Sequence, residues 1–198
     1  MTLQWATLST PVGPISVGCG QAGVASVRFG PPPPGGGTRA GGAKALGSAP
    51  LGRDDGAAGE LAEIAHRQLA EYFCGRRRQF DLPLDWSVFS TAQHKVLRRL
   101  YDEVGYGQTV TYGGLAGLAG ITAAGDVVPA RAVGTIMGSN PLPVIVPCHR
   151  VVASDGLGGF SGGTGPEAKR WLLILEGSQP PTLDWVPAAA APAEGSSG

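Results

Sequence analysis

Residues 140–152 of the 198-residue chain read NPLPVIVPCHRVV. The apolar run Val144-Ile145-Val146 predicts a short buried strand that leads directly into Pro147 and Cys148. The next residue is His149, so a thiol stands beside an imidazole in a segment too apolar for an ordinary surface loop. Because a thiol activated by a neighbouring base is a strong nucleophile, this stretch is the first candidate active site.

The regions on either side of this stretch have helical spacing. The run Ser90-Thr91-Ala92-Gln93 offers a capping box for one helix, and two shorter helices are predicted at 111–119 and 129–137. Two short helices joined by a turn are typical of a helix-turn-helix that binds DNA, although most such pairs only pack together. A glycine loop at 156–163 and a last helix at 166–175 follow the cysteine.

The first half of the chain has a different pattern. Alternating apolar residues punctuated by glycine predict antiparallel strands at 3–8, 15–18 and 24–29. A Gly/Pro-rich segment at 30–59 predicts a flexible loop, residues 60–73 predict an amphipathic helix, and residues 80–85 predict an edge strand.

The fold class predicted from these elements is α+β. A small N-terminal antiparallel sheet with one helix, residues 1–87, precedes a mostly helical helix-turn-helix domain that carries the cysteine, residues 88–179. The small and polar residues at 180–198 predict a disordered tail.

Composition and charge argue against a wholly disordered chain, a protein with a general attraction to nucleic acid and a membrane protein. The 33 glycines and 17 prolines stand beside 42% hydrophobic residues, which indicates folded cores joined by low-complexity segments. The net charge of zero gives no general attraction to nucleic acid or to a membrane, so any DNA-binding surface is local. The sequence has no signal peptide and no run of about eighteen apolar residues, so we expect no membrane association.

The three cysteines indicate a reducing compartment. Cys19, Cys74 and Cys148 are widely spaced and form neither a disulfide framework nor a CxxC pair. We therefore expect a cytoplasmic protein, bacterial by its GC-rich coding bias.

The stretch at 140–152 resembles the active-site signature of the O6-alkylguanine-DNA alkyltransferases. Further matches lie in order along the chain: Thr111-Tyr112-Gly113, Arg131-Ala132-Val133-Gly134, Ser161-Gly162-Gly163, Lys169 and residues 172–177. The resemblance covers about residues 88–177, and the strand-turn-strand around Thr10-Pro11-Val12-Gly13-Pro14 is similar to the family's first domain. A single tetrapeptide match is weak, but six ordered matches are specific.

The resemblance implies DNA repair by a suicide methyltransferase. An alkyl group passes irreversibly from guanine O6 to Cys148, once per molecule and without a cofactor, and O4-alkylthymine is a further candidate substrate. It implies that His149 activates the thiol through a water, that Glu176 orients His149, and that Asn140 acts as a hinge residue. The partner is double-stranded DNA that contains O6-alkylguanine, and the protein is expected to be a monomer that binds the nucleoid when it acts.

Base flipping is also implied, because O6 of a stacked guanine is out of reach. Arg131 resembles the finger that fills the vacated space, and Tyr112 resembles the tyrosine that promotes rotation and donates to guanine N3. The small residues Ala130, Ala132 and Gly134 would let the second helix approach the minor groove. The positions that match the substrate pocket are Met137, Pro143, Val151, Phe160 and Ser161.

The sequence departs from the family pattern at four places. Residues 121–128 lengthen the connection between the two helices, the loop at 154–159 is one residue short, Phe160 replaces a tyrosine, and residues 88–96 lack the usual Phe-Gln and Trp. No zinc site can be assembled from the cysteines and histidines outside 140–152, so no metal is expected.

Two other functions stay open. A lesion-binding protein would flip alkylguanine without accepting the alkyl group and would signal to another repair pathway. A thiol hydrolase would use Cys148 and His149 with turnover and without DNA.

Overall fold

The structure is a computed structural model that describes residues 3–34, 37–39, 55–123 and 128–182. The loop predicted at 30–59, the connection at 121–128 and the tail predicted at 180–198 lie partly outside these ranges, and the disorder of the tail stays a prediction. Within the described ranges, no helix has both the length and the apolarity to cross a membrane.

The chain begins with a four-stranded sheet of order β3-β2-β1-β4. The strands are β1 Gln4–Leu8, β2 Ile15–Gly20, β3 Gly23–Phe29 and β4 Gly37–Arg39. The first three pair antiparallel, as predicted, and β4 runs parallel to β1. The prediction of a flexible loop is therefore wrong at 37–39, because strand pairing uses backbone groups that composition does not reveal.

One helix, α1 at Asp55–Phe73, packs against this sheet. Its buried face contains Ala58, Ala62, Ala65 and Leu69, which recur every three or four residues. The helix begins five residues before the predicted start at residue 60. The burial of Ala58 against the core explains how tertiary packing extends the helix through a glycine-rich start of low intrinsic helix propensity.

The predicted edge strand at 80–85 is wrong. Only Leu84 forms a bridge, to Val24 of β3, where the Val24 amide donates to the Pro83 carbonyl at 2.8 Å and the Asp85 amide donates to the Val24 carbonyl at 3.0 Å. The pairing stops there because Asp85 caps a short 3₁₀ helix at Trp86–Val88.

The second half is mostly helical, as predicted. Its elements are α2 Thr91–Glu103, β5 Val110–Thr111, α3 Tyr112–Leu118, α4 Pro129–Gly138, β6 Val151–Val152 and α5 Pro166–Leu175. The Ser90 capping box is present, and Pro129 occupies the first turn of α4. Helices α3 and α4 pack against each other and both contact α2, so the two predicted helices of the helix-turn-helix lie together.

A single hydrophobic core runs through both halves. Val17 of β2, Leu69 of α1, Leu97 of α2 and Leu172 of α5 are all buried in one connected cluster. The sheet and α1 therefore pack against the helices of the second half, and α1 lies close to the chain segment that carries Cys148. The division at residue 87 stays a prediction.

Candidate active site

The cysteine is held by a tight turn rather than by the predicted strand at 144–146. The Asn140 amide group donates to the Val146 carbonyl at 2.8 Å, while its carbonyl oxygen accepts from the Leu142 amide at 3.0 Å. Val144 has φ = 73°, a left-handed conformation that is strained for a β-branched residue. The apolar run predicted a strand because burial alone does not distinguish a buried strand from a buried turn, and the side chain of Asn140 decides between them.

Cys148 begins a 3₁₀ turn, Cys148–Arg150, and is 6% exposed. Burial raises the pKa of its thiol, and the contact with Asn140 and the charge of Lys169 oppose this only in part. Desolvation outweighs the local contacts, so the surroundings of Cys148 favour the thiol over the thiolate. At neutral pH the resting cysteine is a thiol, and a reaction at sulfur requires a base.

His149 and Glu176 form a buried pair beside this thiol. The Nε2 atom of His149 lies 2.9 Å from Oε1 of Glu176. Burial would raise the pKa of Glu176, but His149 and Arg150 outweigh it and hold the pKa well below its ordinary value. An ionised carboxylate can only accept hydrogen bonds, so Nε2 carries the proton and Nδ1 has a free lone pair.

The protonation state of His149 suits a base. Burial lowers its pKa, although Glu176 opposes the shift, so the imidazole is neutral at pH 7. Its Nδ1 atom is buried and has no hydrogen-bond partner in the described part of the protein. The side chain thus presents one unpaired acceptor, which is the atom a general base needs.

Two residues that the sequence reasoning missed complete this network. Arg150 donates twice to Glu176, from Nε at 2.9 Å and from a terminal nitrogen at 3.0 Å, and also donates to the Val104 carbonyl at 2.7 Å. Tyr72 of α1 donates its hydroxyl to Oε1 of Glu176 at 2.7 Å. Arg150 could have been found from its place beside His149, but Tyr72 had no signal except the apolar spacing of its helix.

Lys169 is a third residue without a predicted role. Its ammonium group donates to the carbonyls of Val151 at 2.7 Å and Gly159 at 3.1 Å, and it lies 5.7 Å from the ring centre of Tyr112. Burial lowers its pKa to about 8. Val151 was predicted as a substrate-pocket position, and the structure shows that its carbonyl oxygen accepts from Lys169.

Tyr112 stands at the mouth of the site. Its hydroxyl donates to the Gly159 carbonyl at 3.2 Å, and burial followed by the nearby Cys148 raises its pKa, so it is protonated at neutral pH. Gly158 has φ = 71°, and a Cβ at this position would lie 2.9 Å from the Tyr112 ring. The glycine lets the loop approach the tyrosine closely.

A cavity of about 600 Å³ opens onto Cys148. The predicted residues that line it are Tyr112, Ala130, Gly134, Met137, Cys148, Phe160 and Ser161. A second cavity of about 420 Å³ shares Cys148 and includes Asn140, Pro143 and the β3 residues Arg28 and Phe29. Cavities of this size hold a nucleobase, and most of the residues predicted for the substrate pocket surround the thiol.

Arg131 and Ala132 do not line either cavity. Arg131 is exposed on α4, on the same helix as Ala130 and Gly134. The predicted finger is therefore a solvent-facing side chain beside the opening.

The cysteines and histidines outside the site form no metal centre in the described ranges, where no group of three or more possible metal ligands was found. Cys19 is buried, and burial raises the pKa of its thiol to about 12. Cys74 is partly exposed.

Comparison with known proteins identifies the family. The model of the 6-O-methylguanine DNA methyltransferase DNA-binding domain matches residues 91–178. A methylated-DNA–protein-cysteine methyltransferase of Methanopyrus kandleri is 43% identical over 115 residues, which cover 58% of this chain and 79% of that protein. The chain belongs to the methylated-DNA–protein-cysteine methyltransferase family.

Other relatives of this methyltransferase-family protein differ in name and length. A DNA base-flipping protein of Thermus thermophilus is 40% identical over 124 residues, covering 62% of this chain and 78% of that protein. The solved structure of Mycobacterium tuberculosis OGT in complex with DNA matches with a TM-score of 0.67 and 31% identity, over 88% of this chain and 93% of that one. Against some other curated relatives, the matched region spans only 37% to 65% of their length.

Phe160, a departure from the pattern of the methyltransferase family, packs edge-on against Phe29 of β3 with ring centres 6.0 Å apart. A Cβ on Gly162 would lie 2.3 Å from the Phe29 ring, so the glycine is required for this packing. The loop that lines the cavity is thereby held against the N-terminal sheet.

Proposed function

We propose that this protein repairs O6-alkylguanine in double-stranded DNA by moving the alkyl group to Sγ of Cys148. The observation that carries the proposal is the position of a free thiol in a cavity of nucleobase size, beside a neutral buried imidazole. A thiol hydrolase would also need a neutral imidazole near sulfur, but no observation favours it over the family's activity.

Activation of the thiol begins at His149. The Nδ1 atom takes the thiol proton through a bridging water, and Glu176 stabilises the imidazolium that forms. Because the pKa of Cys148 is raised by burial, the thiolate forms only as the reaction proceeds. Asn140 and the positive charge of Lys169 stabilise that thiolate and limit the cost of forming it.

The transfer is a displacement at carbon. The Sγ–C bond forms as the C–O6 bond breaks, and the bonding electrons leave with guanine O6. Tyr112 donates a proton to guanine N3, which neutralises the leaving base, and the proton on His149 restores the tyrosine through solvent. The product is a thioether, and no step of the proposed mechanism removes the alkyl group from sulfur, so each molecule reacts once. No cofactor is needed because the lesion itself donates the alkyl group.

The DNA-binding surface contains α4. Arg131 fills the space of the flipped nucleotide, and the small residues Ala130, Ala132 and Gly134 let the helix enter the minor groove. Residues 76–177 hold ten Lys and Arg against eight Asp and Glu, a balance of +2. Because few phosphates can be neutralised, binding should be modest and sensitive to salt.

The proposal extends to the substrate pocket, the range of substrates and the oligomeric state. Met137, Pro143, Phe160 and Ser161 surround the alkylated base, with O4-alkylthymine as a further substrate, and the protein acts as a monomer. The Thermus thermophilus relative is a DNA base-flipping protein, which supports base flipping here. The name of this relative also favours a second candidate function, in which the protein flips and binds the lesion without accepting its alkyl group.

Intact-protein mass spectrometry tests the proposal. The protein is mixed with a duplex that contains one O6-methylguanine, and the expected result is one added methyl group that maps to Cys148. Cys148→Ala should show no added mass, while Cys74→Ala, which removes the more exposed thiol, should react like the wild type.

Two results would contradict the proposal. Lesion-specific DNA binding with no change in mass would establish the lesion-binding function instead. Methyl transfer to Cys74 in the Cys148→Ala variant would show that the reactive thiol has been assigned wrongly.

A further inference from the structure

Tyr72 has the contacts of a positioning residue although it lies on α1, far along the chain from Cys148. Its hydroxyl donates to Oε1 of Glu176 at 2.7 Å, and Oε1 is also the atom that accepts from Nε2 of His149 at 2.9 Å. The Tyr72 oxygen lies 3.4 Å from the same Nε2 atom. One hydroxyl therefore contacts both members of the pair that activates the thiol.

The surroundings of Tyr72 hold this hydroxyl in place. The side chain is fully buried, and its ring packs edge-on against Phe73 and Tyr106 with ring centres 5.3 and 6.3 Å away. Phe80 lies at 5.4 Å on another side. A packed aromatic ring has few alternative rotamers, so the direction of its hydroxyl is set before any substrate binds.

We infer that Tyr72 positions the Glu176 carboxylate and limits its basicity toward His149, so that alkyl transfer depends on helix α1 as well as on the segment that carries Cys148. This inference rests on the proposed function. Tyr72 does not line either cavity at Cys148, so it is a positioning residue that acts through Glu176.

Tyr72 and His149 share one oxygen of Glu176, Oε1. A carboxylate oxygen that accepts a hydroxyl hydrogen bond has less negative charge available for the imidazolium. Without the Tyr72 hydroxyl, Oε1 would stabilise protonated His149 more strongly, and His149 would hold its proton at higher pH. Protonated His149 cannot accept the thiol proton, so the reaction would be slower than in wild type at mildly acidic pH.

The other charged groups around His149 do not change in this comparison. Arg150 and Lys169 disfavour the imidazolium, and Glu176 favours it. Cys148 precedes His149 in the chain, and Tyr106 faces Tyr72 from the loop after α2. A substitution at Tyr72 that keeps the ring changes the chemical identity of none of these five groups.

The test compares Tyr72→Phe with a matched control. We expect the rate of methyl transfer by Tyr72→Phe, relative to wild type, to fall progressively as the pH drops below about 7 and to recover near pH 8.5; the fall approaches a limit of about tenfold, which corresponds to a rise of about one unit in the pKa of His149. Tyr106→Phe removes a hydroxyl that donates to the Leu175 carbonyl at 2.9 Å, and its ratio to wild type should not vary with pH.

A second measurement does not depend on DNA or on activity. The ¹⁵N signals of His149, followed from about pH 5 to 9, should titrate at higher pH in Tyr72→Phe than in wild type. Tyr72→3-fluorotyrosine, which keeps the ring and strengthens the donor, should move the titration to lower pH. This variant tests the inference even if Tyr72→Phe does not fold.

The inference is overturned if Tyr72→Phe is slowed equally at every pH, or if the titration of His149 is the same in all variants. Failure of the proposed function has a different signature, because the wild type would then transfer no methyl group at any pH while His149 could still be titrated.

Discussion

Replacing Glu176 by Gln should destabilise the fold by about 3–5 kcal/mol, because Arg150 would keep a buried charge without a partner. The carboxylate accepts from Tyr72, His149 and Arg150 on Oε1, and from Arg150 and Gly107 on Oε2. An amide cannot reproduce this pattern, since in either orientation its NH₂ group would face donors. The loss is a large share of the stability of an ordinary domain.

A double-mutant cycle isolates the ion pair. Arg150→Met alone should also cost about 3–5 kcal/mol, but the double variant should cost about 3 kcal/mol less than the sum of the two, because neither charge remains to be compensated. The free energies of unfolding are measured by urea denaturation, followed by the fluorescence of the four tryptophans. Additivity within about 0.5 kcal/mol would show that the two buried charges do not stabilise each other.

An exposed ion pair supplies the control. Arg98 and Asp102 lie 2.8 Å apart on the surface of α2, and Asp102→Asn should cost less than about 1 kcal/mol in free energy of unfolding.

The contribution of Glu176 to stability should depend on pH. The pKa of Glu176 is lowered in the folded protein, so its contribution is present above about pH 4 and is lost as the pH falls further. The difference between wild type and Glu176→Gln should shrink in the same range.

Three further outcomes are expected. Because burial lowers the pKa of Lys169 to about 8, the folded chain binds this proton less tightly than the unfolded chain, and the stability of wild type relative to Lys169→Met should rise with pH from about 8 to 10 in denaturation experiments. Asn140→Ala removes two hydrogen bonds from the turn that holds Cys148, so it should lower the free energy of unfolding by about 2 kcal/mol and slow methyl transfer in a stopped-time assay; an unchanged rate would contradict the role of the turn. Gly158→Ala should cost about 1–2 kcal/mol from its positive φ and should displace Tyr112, which slows transfer, whereas Gly156→Ala has open space and should react normally.

Much of the fold follows from local sequence. The glycine-punctuated strands, the Ser90 capping box and the proline at the start of α4 act over a few residues, so they could be predicted. The strand at 37–39 and the single bridge at Leu84 depend on partners distant in the chain, and local patterns do not report them.

In the candidate site too, some residues could be predicted from the sequence and others could not. A thiol and a base could be predicted at Cys148 and His149 because the two residues are adjacent in sequence. The family resemblance added Glu176, Asn140 and Tyr112 to the predicted site. That resemblance did not include the Tyr72 hydroxyl or the carbonyls held by Lys169.

The sequence alone was enough to place a thiol next to an imidazole and to predict the order of the helices, since these are properties of short segments. The packed fold was needed to establish that burial favours the protonated thiol, that Nδ1 of His149 has no partner among the described residues, and that α1 reaches Glu176. The physical reason is that pKa values and tautomers depend on burial and on the donors within about 3 Å, and those donors come from elements separated by up to 104 residues.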